Sequence, residues 1–287
     1  PLLPRLEEAF RELIQPPDTD IAILLGYDLS SPSRVDRLAC GLQNMGNMCY
    51  LNALLQVLAR LPAVQAWTSQ HLTLTQGTAH ASSQCPLCDL AHDVNSLTSA
   101  PVNSPFEPKT VKHRARWHLN FTGHQQQDAS EAFGALLHAC DAADKTLFEN
   151  LFGFHGNNAS TQTRPALAMF SSILHKVRTC ATCGDVRTHY ELERCFSVSI
   201  PPGRSVTIER CLQNHFNDAP LPDSPCTRAG CAATFRQQST TVFRWPRVLV
   251  VHLKRWVQTG LAGFYVKERR HVSLEAVLPA ELLPGQP

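Results

Sequence analysis

Cys49 stands where an amide-rich loop meets an apolar run with helical spacing. The free backbone N–H groups and the dipole at the first turn of a helix favour a negative sulfur, which is the form that attacks a carbonyl carbon. Asn44 lies upstream on the same loop, where its side-chain amide could donate a hydrogen bond to the resulting oxyanion. Gly41 and Gly46 are expected to let the loop turn sharply. The pattern predicts a cysteine nucleophile, and the alternative is a buried helix cysteine.

Two close cysteine pairs lie well apart in the second half of the chain. Pairs at such short intervals, once folding brings them together, form the tetrahedral thiolate cage that structural Zn²⁺ prefers. A glycine beside each pair can supply the positive φ that a metal knuckle requires. The alternative is two unrelated turns that contain core cysteines. The predicted ligands are Cys180, Cys183, Cys226 and Cys231, and the glycines are Gly184 and Gly230.

A further possible metal set combines histidines and cysteines near residue 85. Its candidates are His80, Cys85, Cys88 and His92. The alternative is a pair of surface histidines beside a buried cysteine pair, and the sequence leaves the two interpretations open.

The secondary structure predicted around these residues changes from helices to strands near residue 170. Apolar residues at helical spacing predict helices over residues 4–14, 49–60, 87–97 and 128–140. Later residues predict strands over 173–177, 186–192, 196–200 and 240–251, with one helix over 206–216. A helical first half and a strand-rich second half indicate an α+β protein.

Composition excludes several classes of protein. The 287 residues carry a net charge of +2 without a basic block, so nucleic acid is not an expected partner. No apolar run reaches the length of a membrane span, so a membrane is not expected either. Cysteines in metal-type spacing suit a reducing compartment, which predicts a cytoplasmic or nuclear location or both. The ends at Pro1 and Pro287 look like cuts in a longer product.

The segment around Cys49 resembles the cysteine box of the ubiquitin-specific protease family. Matching residues are Gly41, Leu42, Asn44, Gly46, Asn47, Cys49, Tyr50, Asn52, Leu55 and Gln56. The resemblance implies a papain-like cysteine peptidase fold with a helical thumb, a β-rich palm and zinc-ribbon fingers. It makes Cys49 the nucleophile and Asn44 the oxyanion donor of a thiol deubiquitinase. Such an enzyme cleaves the isopeptide or peptide bond after the C-terminal glycine of ubiquitin, with ubiquitin and ubiquitinated proteins as partners.

The segment from Gln125 to Phe133 resembles the second box of that family. By this resemblance Gln127 and Asp128 line the channel for the ubiquitin tail, where a carboxylate can pair with a tail arginine. Ser130 and Ala132 replace the usual histidine and aromatic residue. Asp128 is also placed to cap the following helix. Glu131, three residues later, lies where a capping box has its second acidic residue.

A third matching segment runs from Arg244 to Trp256 and contains His252. This histidine could be read as a catalytic base. Its apolar strand surroundings, and its place in the family pattern, favour a structural core histidine instead. In the second half, the paired cysteines fall where the family carries the structural zinc of its fingers.

The general-base histidine that the family carries in a Gly-His-Tyr segment has no match here. Gly263-Phe-Tyr265 has phenylalanine at the central position, and residues 271–277 resemble the strand that precedes the family segment.

The resemblance therefore predicts a lead-in with a helix over residues 1–40. Residues 41–287 would be a catalytic domain cut before its histidine box, with a thumb at 41–165 and palm and fingers at 166–287. Two functions remain open, an active enzyme whose base lies downstream and an inactive ubiquitin-binding module. A zinc-ribbon scaffold unrelated to ubiquitin is a third interpretation.

Overall fold

The computed structural model describes residues 40–76, 80, 84–99, 104–117, 125, 127–152, 165–222, 224–258 and 263–274. The chain divides into two compact units between Met169 and Phe170. The entry helix predicted over residues 4–14 lies outside the described residues. In the part of the chain that is described, no helix is long and apolar enough to cross a membrane.

The first unit is built from helices. They are α1 (Cys49–Leu58), α2 (Pro62–Thr75), α3 (Pro86–Ser99), α4 (Lys109–Lys112), α5 (Ala129–Phe152) and α6 (Pro165–Phe170), the last ending at the division between the units. A short 3₁₀ helix follows α4 at Arg114–Arg116. Helix α3 contacts α2, α4 and α5, while α1 packs on both α3 and α5.

Helix α2 has no counterpart in the sequence prediction. Its segment is rich in Thr and Ser and carries no clear apolar stripe, so periodicity gives little signal. Pro62, which the prediction treats as a stop after α1, instead occupies the first turn of the new helix. Proline fits that position because its missing N–H would have no intrahelical partner there.

Helix α1 is buried on one side only. Leu51, Leu55 and Leu58 are buried, whereas Cys49 is exposed and Val57 is 60% exposed. The apolar residues of this helix would suit burial on every side, but the structure buries only one side. The apolar character of α1 is real, but one stripe of the helix faces outward in the described structure.

The second unit contains ten described strands and one further helix. The strands are β1 (Ser172–Thr179), β2 (Val186–Glu193), β3 (Phe196–Ser199), β4 (Val206–Thr207), β5 (Ala219–Leu221), β6 (Arg236–Arg244), β7 (Val251–Lys254), β8 (Trp256–Gln258), β9 (Tyr265–Lys267) and β10 (Val272–Ser273), and helix α7 spans Ile208–Phe216. Four of the strands form an antiparallel sheet in the order β2–β1–β6–β5. The other six form three two-stranded pairings: β3 with β7 in parallel, β4 with β10 in parallel, and β8 with β9 antiparallel. The α+β class is confirmed.

The core of the second unit forms between α7 and the strands. Leu212 of α7, Phe196 and Val198 of β3, and Val242 of β6 belong to one buried cluster. Trp245 stands edge-on to Phe196, with ring centroids 6.0 Å apart. Aromatic and branched side chains in such contact hold α7 against the strands.

The strand predicted over residues 240–251 is two strands. Strand β6 ends at Arg244 and β7 begins at Val251. Pro246 lacks the N–H that a continuous ladder needs, so the chain leaves the sheet there. The apolar residues that follow serve the core instead, since Leu249 packs against the buried cluster and the Val250 carbonyl accepts the Phe196 N–H.

The loop before α1 is fastened by side chains of that helix. Gln56 Nε2 donates to the Cys40 carbonyl at 2.7 Å, and Asn52 Nδ2 donates to the Gln43 carbonyl at 3.1 Å. The Gln43 N–H in turn donates to the Phe106 carbonyl at 3.0 Å. Each of these bonds satisfies a backbone group that the loop conformation leaves without a helix or sheet partner.

The two glycines of this loop have different roles. Gly46 has a φ of 88° and provides the turn that the sequence predicts. Gly41 does not adopt a positive φ, so its predicted role as a turn residue is wrong. A Cβ on Gly41 would stand 3.4 Å from Pro105 Cβ, so this residue runs beside the neighbouring chain segment instead.

Gln56→Ala tests the fastening of this loop. The change removes the donor to the Cys40 carbonyl and the acceptor that Arg60 Nη1 uses at 2.8 Å. We expect the free energy of unfolding to fall by about 1 kcal/mol, because a backbone carbonyl loses its partner. Urea unfolding measures this, with Val57→Ala on the exposed stripe as the control. Equal stability of the two variants would show that the bond contributes nothing.

Candidate functional site

Cys49 is the first residue of α1 and its side chain is exposed. Met48, the residue before it, is fully buried, and Tyr50, the residue after it, is also buried. Two buried neighbours anchor the chain on either side of Cys49 and leave the sulfur at the surface. The alternative of a buried helix cysteine is therefore wrong, and the thiol is accessible to a substrate.

Asn44 is fixed by the turn that leads into α1. The Met48 backbone N–H donates to Asn44 Oδ1 at 3.1 Å. The Met48 N–H can donate only to an oxygen, so this bond fixes the orientation of the Asn44 side-chain amide. The amide nitrogen Nδ2 then points away from Met48 as a hydrogen-bond donor. Gly46 and Asn47, with φ of 88° and 51°, close the turn between the two residues. Asn44 therefore braces the loop through its oxygen and keeps its NH₂ group available on an exposed side chain.

A general base for the thiol is not found among the described residues of the first unit. Among the described residues of the first unit, no histidine hydrogen-bonds to Cys49. The expectation that the general-base histidine lies outside the segments that resemble the family remains a prediction.

His252 lies on β7 in the second unit and is half-buried. Its Nδ1 is 3.2 Å from the hydroxyl oxygen of Ser197 on the neighbouring strand β3. The residue pairs with Ser197 in the parallel register of these strands. A cross-strand hydrogen bond of this kind agrees with the structural role that the sequence favours.

Gln127 and Asp128 lie at the start of α5. Asp128 Oδ1 accepts the Ser130 backbone N–H and the Ser130 hydroxyl, each at 2.6 Å. Asp128 is exposed and Gln127 half-buried. The predicted capping role of Asp128 is confirmed, and the serine that replaces the family histidine contributes to it.

The four cysteines of the second unit come together at one end of the sheet, and we call them the strand cluster. Cys180 directly follows β1, and the β6 strand begins shortly after Cys231. The sulfurs of Cys180 and Cys231 are 3.7 Å apart, and those of Cys183 and Cys226 are 3.6 Å apart. All four sulfurs lie within 4.8 Å of one another. Tetrahedral Zn–S bonds of about 2.3 Å place sulfurs about 3.8 Å apart, so the set could hold a metal ion.

The surroundings of the strand cluster favour negative sulfur. Hydrogen bonds from the backbone N–H groups of Cys183 and Thr182 lower the pKa of the Cys180 thiol to about 6. The guanidinium of Arg236, itself 3% exposed, lies 3.4 Å from Cys226 Sγ and 2.9 Å from Asp185 Oδ2. Positive φ at Gly184 and Gly230 confirms the predicted knuckle turns. Backbone donors at Cys180 and a buried cation beside Cys226 thus favour thiolates at these two positions. The hydrogen bond from the Ala233 N–H lowers the pKa of Cys231, but burial and hydrogen bonds with the other three cysteines outweigh it and raise that pKa.

A second group of possible ligands, which we call the helical cluster, lies in the first unit. Its members are His71, His80, Cys85 and Cys88. The sequence-based set contained His92 in place of His71. The His92 side chain is 45% exposed, and its Nδ1 lies 3.4 Å from Asp93 Oδ1 instead. His71 was missed because it belongs to α2, the helix that sequence periodicity did not reveal.

The electrostatic environment of the helical cluster is negative. Burial lowers the pKa of His71, but the hydrogen bonds with Asp144 and Cys85 outweigh burial and raise that pKa to about 9. The His71 ring is thus surrounded by acceptors that stabilise positive charge.

Comparison with known proteins identifies the family. The model of the family described as ubiquitin carboxyl-terminal hydrolase matches residues 40–282. Ubiquitin carboxyl-terminal hydrolase Usp2 of Drosophila melanogaster is 25% identical over 262 residues, which cover 82% of this chain and 27% of that protein. Ubiquitin carboxyl-terminal hydrolase 2 of Bos taurus is 27% identical over 262 residues, covering 82% and 42%. The chain therefore spans less than half the length of these relatives.

A solved structure shares the fold. The chain resembles one in the SAGA DUB module Ubp8/Sgf11/Sus1/Sgf73 bound to monoubiquitin, with a TM-score of 0.66 and 19% identity over 87% of this chain and 55% of that one. A second structure of that module, bound to ubiquitin aldehyde, gives a TM-score of 0.65 at 20% identity. These matches confirm the fold of the ubiquitin-specific protease type. The chain belongs to the ubiquitin carboxyl-terminal hydrolase family of ubiquitin-specific proteases.

Proposed function

We propose that the protein is a cysteine-type deubiquitinase, a ubiquitinyl hydrolase that cleaves the isopeptide or peptide bond after the C-terminal glycine of ubiquitin. The observation that carries the proposal is the arrangement of Asn44, Met48 and Cys49. An exposed thiol begins a helix, and the turn before it orients an amide donor. Acyl transfer by a cysteine nucleophile requires both groups.

The proposed reaction proceeds through a thioester on Cys49. The Cys49 thiol gives its proton to the general base, and its sulfur bonds to the carbonyl carbon of the ubiquitin glycine. The Asn44 NH₂ group donates to the oxygen that becomes negative. The C–N bond then breaks, and the amine of the ubiquitinated protein leaves with a proton from a general acid. Water attacks the thioester, and its proton returns through the same group acting as base, which releases ubiquitin and the thiol.

The residue that transfers the protons is assigned only by resemblance to the family. The family carries its histidine after a strand that residues 271–277 resemble, so we place the base C-terminal to that strand in the full-length protein. The second candidate, an inactive ubiquitin-binding module, is supported by the lack of a Gly-His-Tyr segment within residues 1–287.

Substrate binding is proposed for Gln127 and Asp128. Asp128 is exposed at the start of α5, on the helix that packs against α1. A carboxylate at that place can pair with an arginine of the ubiquitin tail, and the cap holds it in one orientation. Ubiquitin and ubiquitinated proteins are the proposed partners.

The strand cluster is proposed to hold one structural Zn²⁺ through Cys180, Cys183, Cys226 and Cys231. Four thiolates close the tetrahedron and leave no position for a reacting water, so the metal would stabilise the strand tips. None of the eleven cysteines of the chain forms a disulfide. A cytoplasmic or nuclear location, which we also propose, would keep them reduced.

Hydrolysis of a ubiquitin–lysine isopeptide by the full-length protein tests the proposed activity. We expect Cys49→Ser to abolish turnover and Asn44→Ala to lower kcat by about 10²–10³, because one oxyanion donor is lost. The Kd for ubiquitin should change little in either variant. The Asn52→Ala variant is the control, since it loosens the same loop without removing the oxyanion donor.

Two results would contradict this account. Ubiquitin binding without any turnover by the full-length protein would establish the inactive module. A fall of kcat in Asn44→Ala no larger than the fall in Asn52→Ala would assign Asn44 to the scaffold alone.

Removal of the metal tests the strand cluster. We expect Cys183→Ser combined with Cys226→Ser to lower the zinc content by about one equivalent and to lower the melting temperature, because metal binding contributes to folding. Cys195→Ser, at a half-buried cysteine outside the cluster, should leave both unchanged. Metal analysis and thermal unfolding measure this. Unchanged zinc content in the double variant would refute the site.

A further inference from the structure

The helical cluster has the dimensions of a tetrahedral metal site. His71 Nε2 lies 3.6 Å from Cys85 Sγ and 3.3 Å from Cys88 Sγ. The four ligand atoms of the cluster, including one from His80, all lie within 4.8 Å of one another. Zn–S bonds of about 2.3 Å and Zn–N bonds of about 2.0 Å at tetrahedral angles place sulfur and nitrogen about 3.6 Å apart.

His80 presents a buried nitrogen that needs a partner. Its Nε2 is shielded from solvent and has no hydrogen-bond partner among the residues described. Leaving a polar nitrogen buried and unbonded is energetically unfavourable. The His80 ring stands edge-on to His71, with centroids 5.3 Å apart. A cation bound between these rings would satisfy the buried nitrogen.

Asp144 of α5 sets the orientation of His71. The two residues are joined by a hydrogen bond of 3.0 Å between His71 Nδ1 and Asp144 Oδ1. Asp144 is itself held by the indole N–H of Trp67, which donates to Oδ2 at 2.6 Å. Once a metal ion displaces the Nε2 proton, the bond to Asp144 keeps the other proton on Nδ1, and Nε2 faces the two sulfurs. A carboxylate behind a histidine in this way is typical of metal-ligating histidines.

The backbone near Cys85 also suits a thiolate ligand. The Cys88 N–H donates to Cys85 Sγ at 3.4 Å, and Pro86 begins α3 between the two cysteines. Cys85 is buried and Cys88 half-buried, and both are free thiols. N–H groups at a helix start stabilise negative sulfur.

We propose that His71, His80, Cys85 and Cys88 bind a second structural Zn²⁺, independent of the strand cluster. Two thiolates neutralise the charge of the ion, and two imidazoles complete the tetrahedron without an open position for water. The ligands come from α2, the connection after it, and the start of α3. The metal therefore fastens α2 to α3, and Asp144 links it to α5.

Zinc analysis of the purified full-length protein tests the proposal. We expect Cys85→Ser combined with Cys88→Ser to remove about one equivalent of zinc, leaving that of the strand cluster in place. His92→Ala is the matched control, because His92 is a nearby histidine outside the cluster and should retain all of the metal. Unchanged zinc content in the double variant would overturn the proposal.

A measurement on the unmodified protein covers the case in which the double variant does not fold. Alkylation followed by peptide mass spectrometry should find Cys85 and Cys88 protected until a chelator is added, with the surface thiol of Cys49 modified at once. A disulfide between Cys85 and Cys88, or alkylation of both at the same rate with and without chelator, would overturn the proposal.

Cobalt substitution distinguishes the two clusters chemically. Co²⁺ bound to the helical cluster should show about half the thiolate charge-transfer absorption of Co²⁺ in the strand cluster, because it has two sulfur ligands rather than four. The Cys183→Ser, Cys226→Ser protein isolates the helical signal. Absence of thiolate absorption in that protein would show that the helical cluster binds no metal.

Discussion

Hydrogen bonds from side-chain amides to the backbone hold the loop that carries Asn44 into helix α1. Gln56 and Asn52 reach back from the helix to carbonyls of the loop, and Asn44 accepts the N–H of Met48. Without these bonds the loop backbone would have unsatisfied groups at a place where no helix or sheet can pair them. Because the same amide of Asn44 fixes the turn and presents the outer NH₂ group, the fold of the loop and the proposed chemistry rest on one interaction. A donor held in place before reaction is what oxyanion stabilisation requires.

The two ligand clusters would each join separate segments of the chain through a metal ion. In the strand cluster the knuckles lie beyond the ends of β1 and β6, where the sheet supplies no further pairing. In the helical cluster the ligands lie on α2, on the connection after it and at the start of α3. Val64 and Trp67 of α2 are already buried, so metal binding there would add to hydrophobic burial as a source of stability.

The sequence predicted local chemistry well because close spacing and special residues carry it. Cys49 at a helix start, the cap by Asp128 and the positive φ of Gly184 all depend on a few neighbouring residues. What it missed depends on distant partners or weak periodicity. His71 lies on a helix without an apolar stripe and meets Cys85 and Cys88 only after α2 and α3 pair. The break at Pro246 was also missed, because an apolar β-branched run can fill a core without pairing in a sheet.

The central claim is that Cys49, beside the oriented Asn44, is the nucleophile for the carboxyl end of ubiquitin. The most direct measurement is peptide mass spectrometry of the full-length protein after reaction with ubiquitin bearing a C-terminal electrophile. We expect one adduct, on Cys49, formed faster than the reaction of Cys49 with a small alkylating reagent of matched chemistry, because bound ubiquitin positions its end at the sulfur. An adduct on another of the eleven cysteines, or none while Cys49 reacts freely with the small reagent, would contradict it.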